Sequence, residues 1–247
     1  MVGRQAFNLA TRVRFPYALP SFKNYFQFML TLSQIKKNPQ ILEFIRQSHL
    51  ALVALEYTEH GLRHANLVAK RANFLAKVIG LNSRFQELAA IAGFCHDMGN
   101  FLGRTQHHYW AALLFHQVFA HEDPQELGLI MQAISNHDKE EMKFSNPISA
   151  VVVLADKSDV HRSRVLTKSL KKIKTDIHDR VNFAVKQSEL KVDKKKKDII
   201  LKLKIDIKFC PVMEYFEIFT KRMTYCRKAA DYLGFKFNLI INNFKLL

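Results

Sequence analysis

"GFCHDMGN", residues 93–100, sets a histidine and an aspartate side by side, after an apolar run and just before a glycine. Behind it, Glu87, Leu88, Ile91 and Ala92 recur at helical spacing, which predicts a helix from an N-cap at Ser83 to about Asp97. Neighbouring side chains on a straight helix diverge, whereas a helix end lets residues i and i+1 converge. His96 and Asp97 are therefore read as a pair at a helix terminus, where imidazole and carboxylate can share a borderline divalent metal.

The surrounding sequence also reads as helix. "SFKNYFQFMLTLSQIKK" (21–37) opens on the capping-type Ser21, and "NPQILEFIRQSHLALVALEY" (38–57) has Asn38 and Pro39 at its cap and first helical position. A further helix is predicted from His64 to Ile79, ending at Gly80. "TQHHYWAALLFHQVFA" (105–120), "PQELGLIMQAISNHD" (124–138) and "PISAVVVLADKSDVHRSRV" (147–165) supply three more. The run Val151–Val153 taken alone would suit a strand, but Pro147 sits where a first helical turn accepts it.

Beyond about residue 170 the periodicity changes. "DRVNFAVKQSELKVD" (179–193) and "DIILKLKIDI" (198–207) alternate apolar and charged residues around the turn-like "DKKKK" (193–197), which predicts a β-hairpin. Pro211 then opens an amphipathic helix to Leu233, with Gly234 as its stop, and "FKFNLIIN" (235–242) reads as a third strand. The expected fold class is mainly α, with a small C-terminal α+β module of order ββαβ.

Composition bounds the partners. The chain has 247 residues, 48% hydrophobic and 24% charged, which suits a protein with a buried core. It shows no apolar run of the roughly 18–20 residues that span a bilayer, and no secretory leader pattern at its start. Three cysteines, Cys95, Cys210 and Cys226, form no C-x-x-C pair and cannot all be cross-linked, so a reducing, cytoplasmic setting is expected. The net charge of +16 is uneven: residues 1–55 carry +6, residues 56–164 carry −1, and residues 165–247 carry +11. Basic flanks of this kind either attract nucleic acid or another polyanion, or serve as a solvated surface.

The middle of the chain also orders its histidines. His64 lies within a helix, His96–Asp97 end the next, His107 and His108 open another, His137–Asp138 end a fourth, and Asp156 falls in the one after. This series resembles that of the HD-domain metal-dependent phosphohydrolases. "HGLRHANLVAKRANFLAKVIG" (60–80) is similar to the first motif helix, and "AAIAGFCHDMGN" (89–100) to the defining His-Asp motif. "HHYWAALLF" (107–115), "AISNHD" (133–138) and "VVVLADKSDVHRSR" (151–164) resemble the later segments.

That resemblance implies an all-α bundle over residues 56–168, a helical extension packed on it over 1–55, and the ββαβ module over 169–247. It implies six metal ligands, His64, His96, Asp97, His107, His137 and Asp156, with Asp97 bridging two divalent ions (Mn, Fe, Co, Ni, Zn or Mg). His64, His96 and Asp156 would complete one ion's shell, and His107 and His137 the other's. The implied chemistry is hydrolysis of a phosphomonoester or phosphodiester, nucleotides included, by a hydroxide held between the ions. The offset from the small pair Ala111–Ala112 favours His107 over His108 as ligand.

One position departs from the pattern. Asn100 stands where a lysine is usual, so the phosphate-facing cation is expected from Arg104 or Lys157. His60 is read either as facing substrate or as a polar helix entry, and Asp138 and Asp159 as solvated or capping residues. A homo-oligomer is compatible with all of this.

Overall fold

The structure, a computed structural model, describes residues 29–246. Ten helices and a four-stranded sheet lie within them, so the chain is mainly α. The helix expected from Ser21 begins outside the described residues, and its described part is short. Only α1 (Leu32–Ile35) forms there, started by a capping box between Thr31 and Gln34.

α2 (Pro39–Ala54) opens as expected, with Asn38 accepting from the amides of Gln40 and Ile41. α3 (Leu62–Val78) and α4 (Ser83–Cys95) pack together closely. The α4 cap is Asn82, whose side chain accepts from the Phe85 amide, and Ser83 is the first helical residue. Gly93 makes the close approach of these helices possible. A Cβ there would lie 3.2 Å from the Val68 carbonyl oxygen and 3.3 Å from the Ala69 amide nitrogen.

After a 3-10 turn over Asn100–Leu102 come α5 (His107–Phe119), α6 (Pro124–Asn136) and α7 (Pro147–Lys157). α7 is the axis of the bundle: it packs against α3, α4 and α6, and every residue from Ile148 to Lys157 is buried. The three valines stay helical because Asn146 accepts from the Ser149 amide and Pro147 supplies a pre-set first turn. Burial all round also removes the solvent face that a half-buried strand would alternate with.

Downstream, α8 (Leu170–Thr175) and α9 (Ile177–Ala184) precede β1 (Val185–Asp193). The hairpin reading of residues 179–184 is thus corrected. Asp176 accepts from the Asp179 amide and starts a helix, and only the second half of "DRVNFAVKQSELKVD" is strand. β1 pairs antiparallel with β2 (Asp198–Ile205), α10 (Val212–Tyr232) crosses over, and β3 (Lys236–Ile241) returns parallel to β2. A two-residue β4 (Phe244–Lys245), not anticipated, closes the order β1-β2-β3-β4.

The sheet buries Ile199, Leu201, Leu203 and Ile205 and turns Lys202 and Lys204 to solvent. Two connections join it to the bundle. α10 lies along α7, and the Arg71 guanidinium donates to the Ser158 hydroxyl and to the Ser188 carbonyl of β1, each at 3.0 Å. Among the described residues no helix is long and apolar enough to cross a membrane.

Candidate metal centre

Five helices bring their ends or inner faces to one buried place. His64 comes from the first turn of α3, His96 and Asp97 follow α4, His107 opens α5, His137 closes α6, and Asp156 sits in the last turn of α7. His64, His96, His107 and His137 are each 1% exposed or less.

The imidazoles share one orientation. Each turns Nδ1 outward to an acceptor: His96 to the Gly93 carbonyl at 2.8 Å, His107 to the Arg104 carbonyl at 2.8 Å, and His137 to the Ile134 carbonyl at 2.6 Å. His64 Nδ1 lies 2.7 Å from Asp159 Oδ2 and 3.3 Å from an Arg164 nitrogen; the shorter contact to an acceptor assigns the proton to Nδ1. With Nδ1 donating outward, Nε2 of all four rings faces inward, where it can take up either a proton or a metal ion.

Those inward nitrogens face one another. His64 Nε2 is 3.2 Å from His96 Nε2, and His107 Nε2 is 3.0 Å from His137 Nε2. Asp97 divides its oxygens between the two pairs. Oδ2 lies 3.5 Å from His64 and 3.3 Å from His96, and Oδ1 lies 3.2 Å from His107 and 3.5 Å from His137. Asp156 Oδ1 closes the first group, 3.3 Å from His64 and 3.6 Å from His96.

Two lone pairs at hydrogen-bond distance repel unless a proton or a metal ion lies between them, so this donor set fits divalent cations. Two overlapping triads have ligand atoms within 4.8 Å of one another: His64, His96 and Asp156, and His96, Asp97 and His137. The chain can therefore hold metal here. Asp97 and Asp156 also lie at the negative ends of α4 and α7, where the helix dipole mildly favours a cation nearby.

The ionisation pattern follows from the same contacts. Burial opposes a charge on His96, but Asp97 and Asp156 outweigh it and push the ring up to about 10. Burial, together with His96, His107 and Lys157, brings His137 down to about 4 against a single favourable bond from Asp97. Burial would raise Asp97 and Asp156. The surrounding histidines, with Lys157 beside Asp156, instead hold both well below the usual carboxylate range.

Neighbouring residues support this core. Asp159, expected to be solvated or capping, is fully buried and grips His64 while pairing with Arg63 at 2.7 Å and Arg164 at 3.1 Å. Arg164, itself 2% exposed, donates to His60 Nε2 at 2.8 Å, so His60 belongs to this buried network as well. Asp138, also read as solvated, pairs with Lys157 at 2.7 Å. The Lys157 ammonium lies 3.0 Å from Asp156 as well, which commits it to carboxylates already in place.

Asn100 donates to the Asp97 carbonyl at 2.8 Å and to its Oδ1 at 3.1 Å, and accepts from Arg104 at 2.9 Å. It thus links Arg104 to the carboxylate between the histidine pairs. His107 brings its Nε2 to Asp97, whereas His108 packs on Tyr109 with a buried Nδ1 that has no partner among the described residues.

Asp159→Asn is expected to weaken divalent-metal affinity about 10–100-fold, because the His64 ring loses the charged acceptor that orients it. Titration of the metal-free protein with Mn or Zn measures this. Affinity within threefold of wild type would show that Asp159 has no such role.

No known family model matches the chain. It is similar to the uncharacterized protein MJ1020 of Methanocaldococcus jannaschii, 24% identical over 182 residues that cover 64% of this chain and 70% of that protein. Because that relative is itself uncharacterized, the chemistry of this chain rests on the residues of its own site.

Proposed function

We propose that the chain is a metal-dependent phosphohydrolase of the HD-domain type, its helical bundle spanning about residues 56–168. The reading rests above all on the division of Asp97 between two histidine pairs, with Asp156 closing the first pair. In this reading His64, His96, Asp156 and Asp97 hold one ion, and His107, His137 and Asp97 hold a second. Two divalent ions so placed would supply activated water and neutralise charge on a phosphoryl group.

The chain's own residues do the rest. The outward Nδ1 bonds keep each imidazole in the tautomer that can bind metal. Lys157 fixes the second oxygen of Asp156, leaving the first for the ion group. Asn100 holds Asp97 in place and directs the Arg104 guanidinium towards the site, so a positive charge reaches the phosphate position without the usual lysine.

The direct test joins metal analysis of the purified protein to a panel of phosphomonoesters, phosphodiesters and nucleotides. Chelation is expected to abolish hydrolysis, and one or more of Mn, Fe, Co, Ni, Zn and Mg to restore it. His96→Ala should lower both metal content and activity. A metal-loaded protein whose hydrolysis ignores that substitution would sink the reading.

One surface favours a second reading. Lys186, Lys191, Lys194, Lys195, Lys196, Lys197, Lys202 and Lys204 are all exposed on the β1–β2 hairpin, a distribution suited to RNA or another polyanion. Under this reading the metal centre senses a nucleotide while the hairpin binds RNA. RNA binding that falls steeply with salt yet survives chelation would favour it.

A further inference from the structure

Most cations around the metal centre already have carboxylate partners. Lys157 pairs with Asp138 and Asp156, Arg164 with Asp159, and Arg63 with Glu59 and Asp159. Two guanidiniums differ. Arg104 rests over the Tyr57 ring at 5.5 Å and over His107, with Nη1 3.3 Å from both ring nitrogens, and has no carboxylate partner among the described residues. Arg222, half-buried on α10, stacks over Phe219 at 4.6 Å and likewise has none.

The packing of α10 puts Arg222 on the side of the bundle that carries the centre. α10 packs along α7, the helix that ends in Asp156 and Lys157. Cys226, one turn further along α10 on the same face, is fully buried. Tyr232, at the far end of α10, packs its ring on Phe144 at 5.6 Å and a 46° tilt, which seats that end of the helix against the segment following His137 and Asp138. The electrostatics agree. Burial lowers Arg222 from its usual range, Arg164 and Arg104 repel it, and only Asp156 and Asp138 draw it back.

A desolvated guanidinium with no anion beside it is unfavourable, and its planar fork suits two phosphate oxygens at once. Stacking on Phe219 holds the plane and leaves the N–H edge available. We propose that Arg222, carried in from outside the bundle by α10, binds substrate phosphate together with Arg104 and makes the site select a terminal, dianionic phosphate. The phosphate identity rests on the phosphohydrolase reading; the anion site itself does not.

The choice of a terminal phosphate follows from counting charges and oxygens. Two divalent ions against Asp97 and Asp156 leave about two positive charges, and the unpaired arginines add about two more. A monoester brings about two negative charges near neutrality and a diester about one. A diester has only two unbridged oxygens, whereas a terminal phosphate has a third that the arginines can bind.

Isothermal titration of the Mn-loaded protein with inorganic phosphate tests the anion site, and p-nitrophenyl phosphate against bis(p-nitrophenyl) phosphate tests the selectivity. Arg222→Gln is expected to weaken phosphate binding roughly 10–100-fold and to raise KM for the monoester similarly. Metal content should stay near wild type, the loss on the diester should be clearly smaller than on the monoester, and Arg222→Lys should be intermediate in phosphate affinity. Phosphate affinity unchanged in Arg222→Gln, or equal loss on both esters, overturns the inference and leaves the phosphohydrolase reading intact. Weakened phosphate binding in a protein that hydrolyses neither ester overturns the phosphohydrolase reading and leaves the anion site standing.

Discussion

Asp97→Asn is expected to lower kcat/KM for any phosphoester at least about a thousandfold and to reduce bound metal by one ion or more per chain. The reason is geometric. Asp97 is the one carboxylate whose two oxygens face different histidine pairs, so no neighbour can replace it for both. Asp156 reaches only His64 and His96, and Asp138 approaches only His107, at 3.9 Å. An amide keeps the size but loses the charge that would offset bound cations.

Stability separates this effect from misfolding. Metal that binds only the folded chain should raise the wild-type thermal midpoint with increasing ion concentration. In Asp97→Asn that rise should shrink sharply, and the midpoint in chelator should itself fall, because the charged carboxylate and the raised His96 ring stabilise the ion-free fold at neutral pH. Without an ion, the buried carboxylate depends on proton-bearing histidines, His96 first among them, to stay charged. Metal content and kcat/KM within threefold of wild type would remove Asp97 from the centre of the argument.

The resemblance to the HD-domain series singled out the six residues of the cluster as a set, and each lies at a helix boundary or in a terminal turn that local signals help to announce. Pro124 and Pro147 open α6 and α7, and Gly80 with φ +92° closes α3. The partners of these residues were not legible. Asp159 contacts His64 across 95 positions and Arg164 reaches His60 across 104, and no periodicity reports such contacts. Both fall in a stretch whose pattern reads as helix to Val165, where Asp159 suits a solvated or capping place and Arg164 carries no distinguishing signal. Burial by α3 and the 3-10 turn at Arg162–Arg164 made them structural.

Local patterns misled in two places where capping competed with periodicity. Val181, Phe183 and Val185 alternate as a strand should, yet the Asp176 cap turns the first two into helix, and the chain extends only from Val185. In the N-terminal segment the T-x-x-Q capping box at Thr31–Gln34 was present in the sequence. It starts a helix at a point that an apolar pattern alone would run through.

Gly99→Ala is expected to destabilise the fold by at least about 1–3 kcal/mol and to lower hydrolysis about a hundredfold. A Cβ on Gly99 would lie 2.3 Å from the His107 carbonyl oxygen and 2.4 Å from the Ala111 amide nitrogen. Both are backbone atoms, so no rotamer change relieves the overlap, and the start of α5 must move away from the segment carrying Asp97. His107 moves with it. His64, His96 and Asp156 are carried by α3, α4 and α7, so the group they form should keep its metal affinity while the His107–His137 pair loses any of its own. Metal titration should therefore show one strong and one weakened site. Gly128→Ala supplies the control: it lies inside α6 with nothing within 4 Å of the added carbon, and should gain up to about 1 kcal/mol. If Gly99→Ala melted like wild type and bound metal as fully, close packing between α5 and the His-Asp turn would not be what holds the two histidine pairs in register.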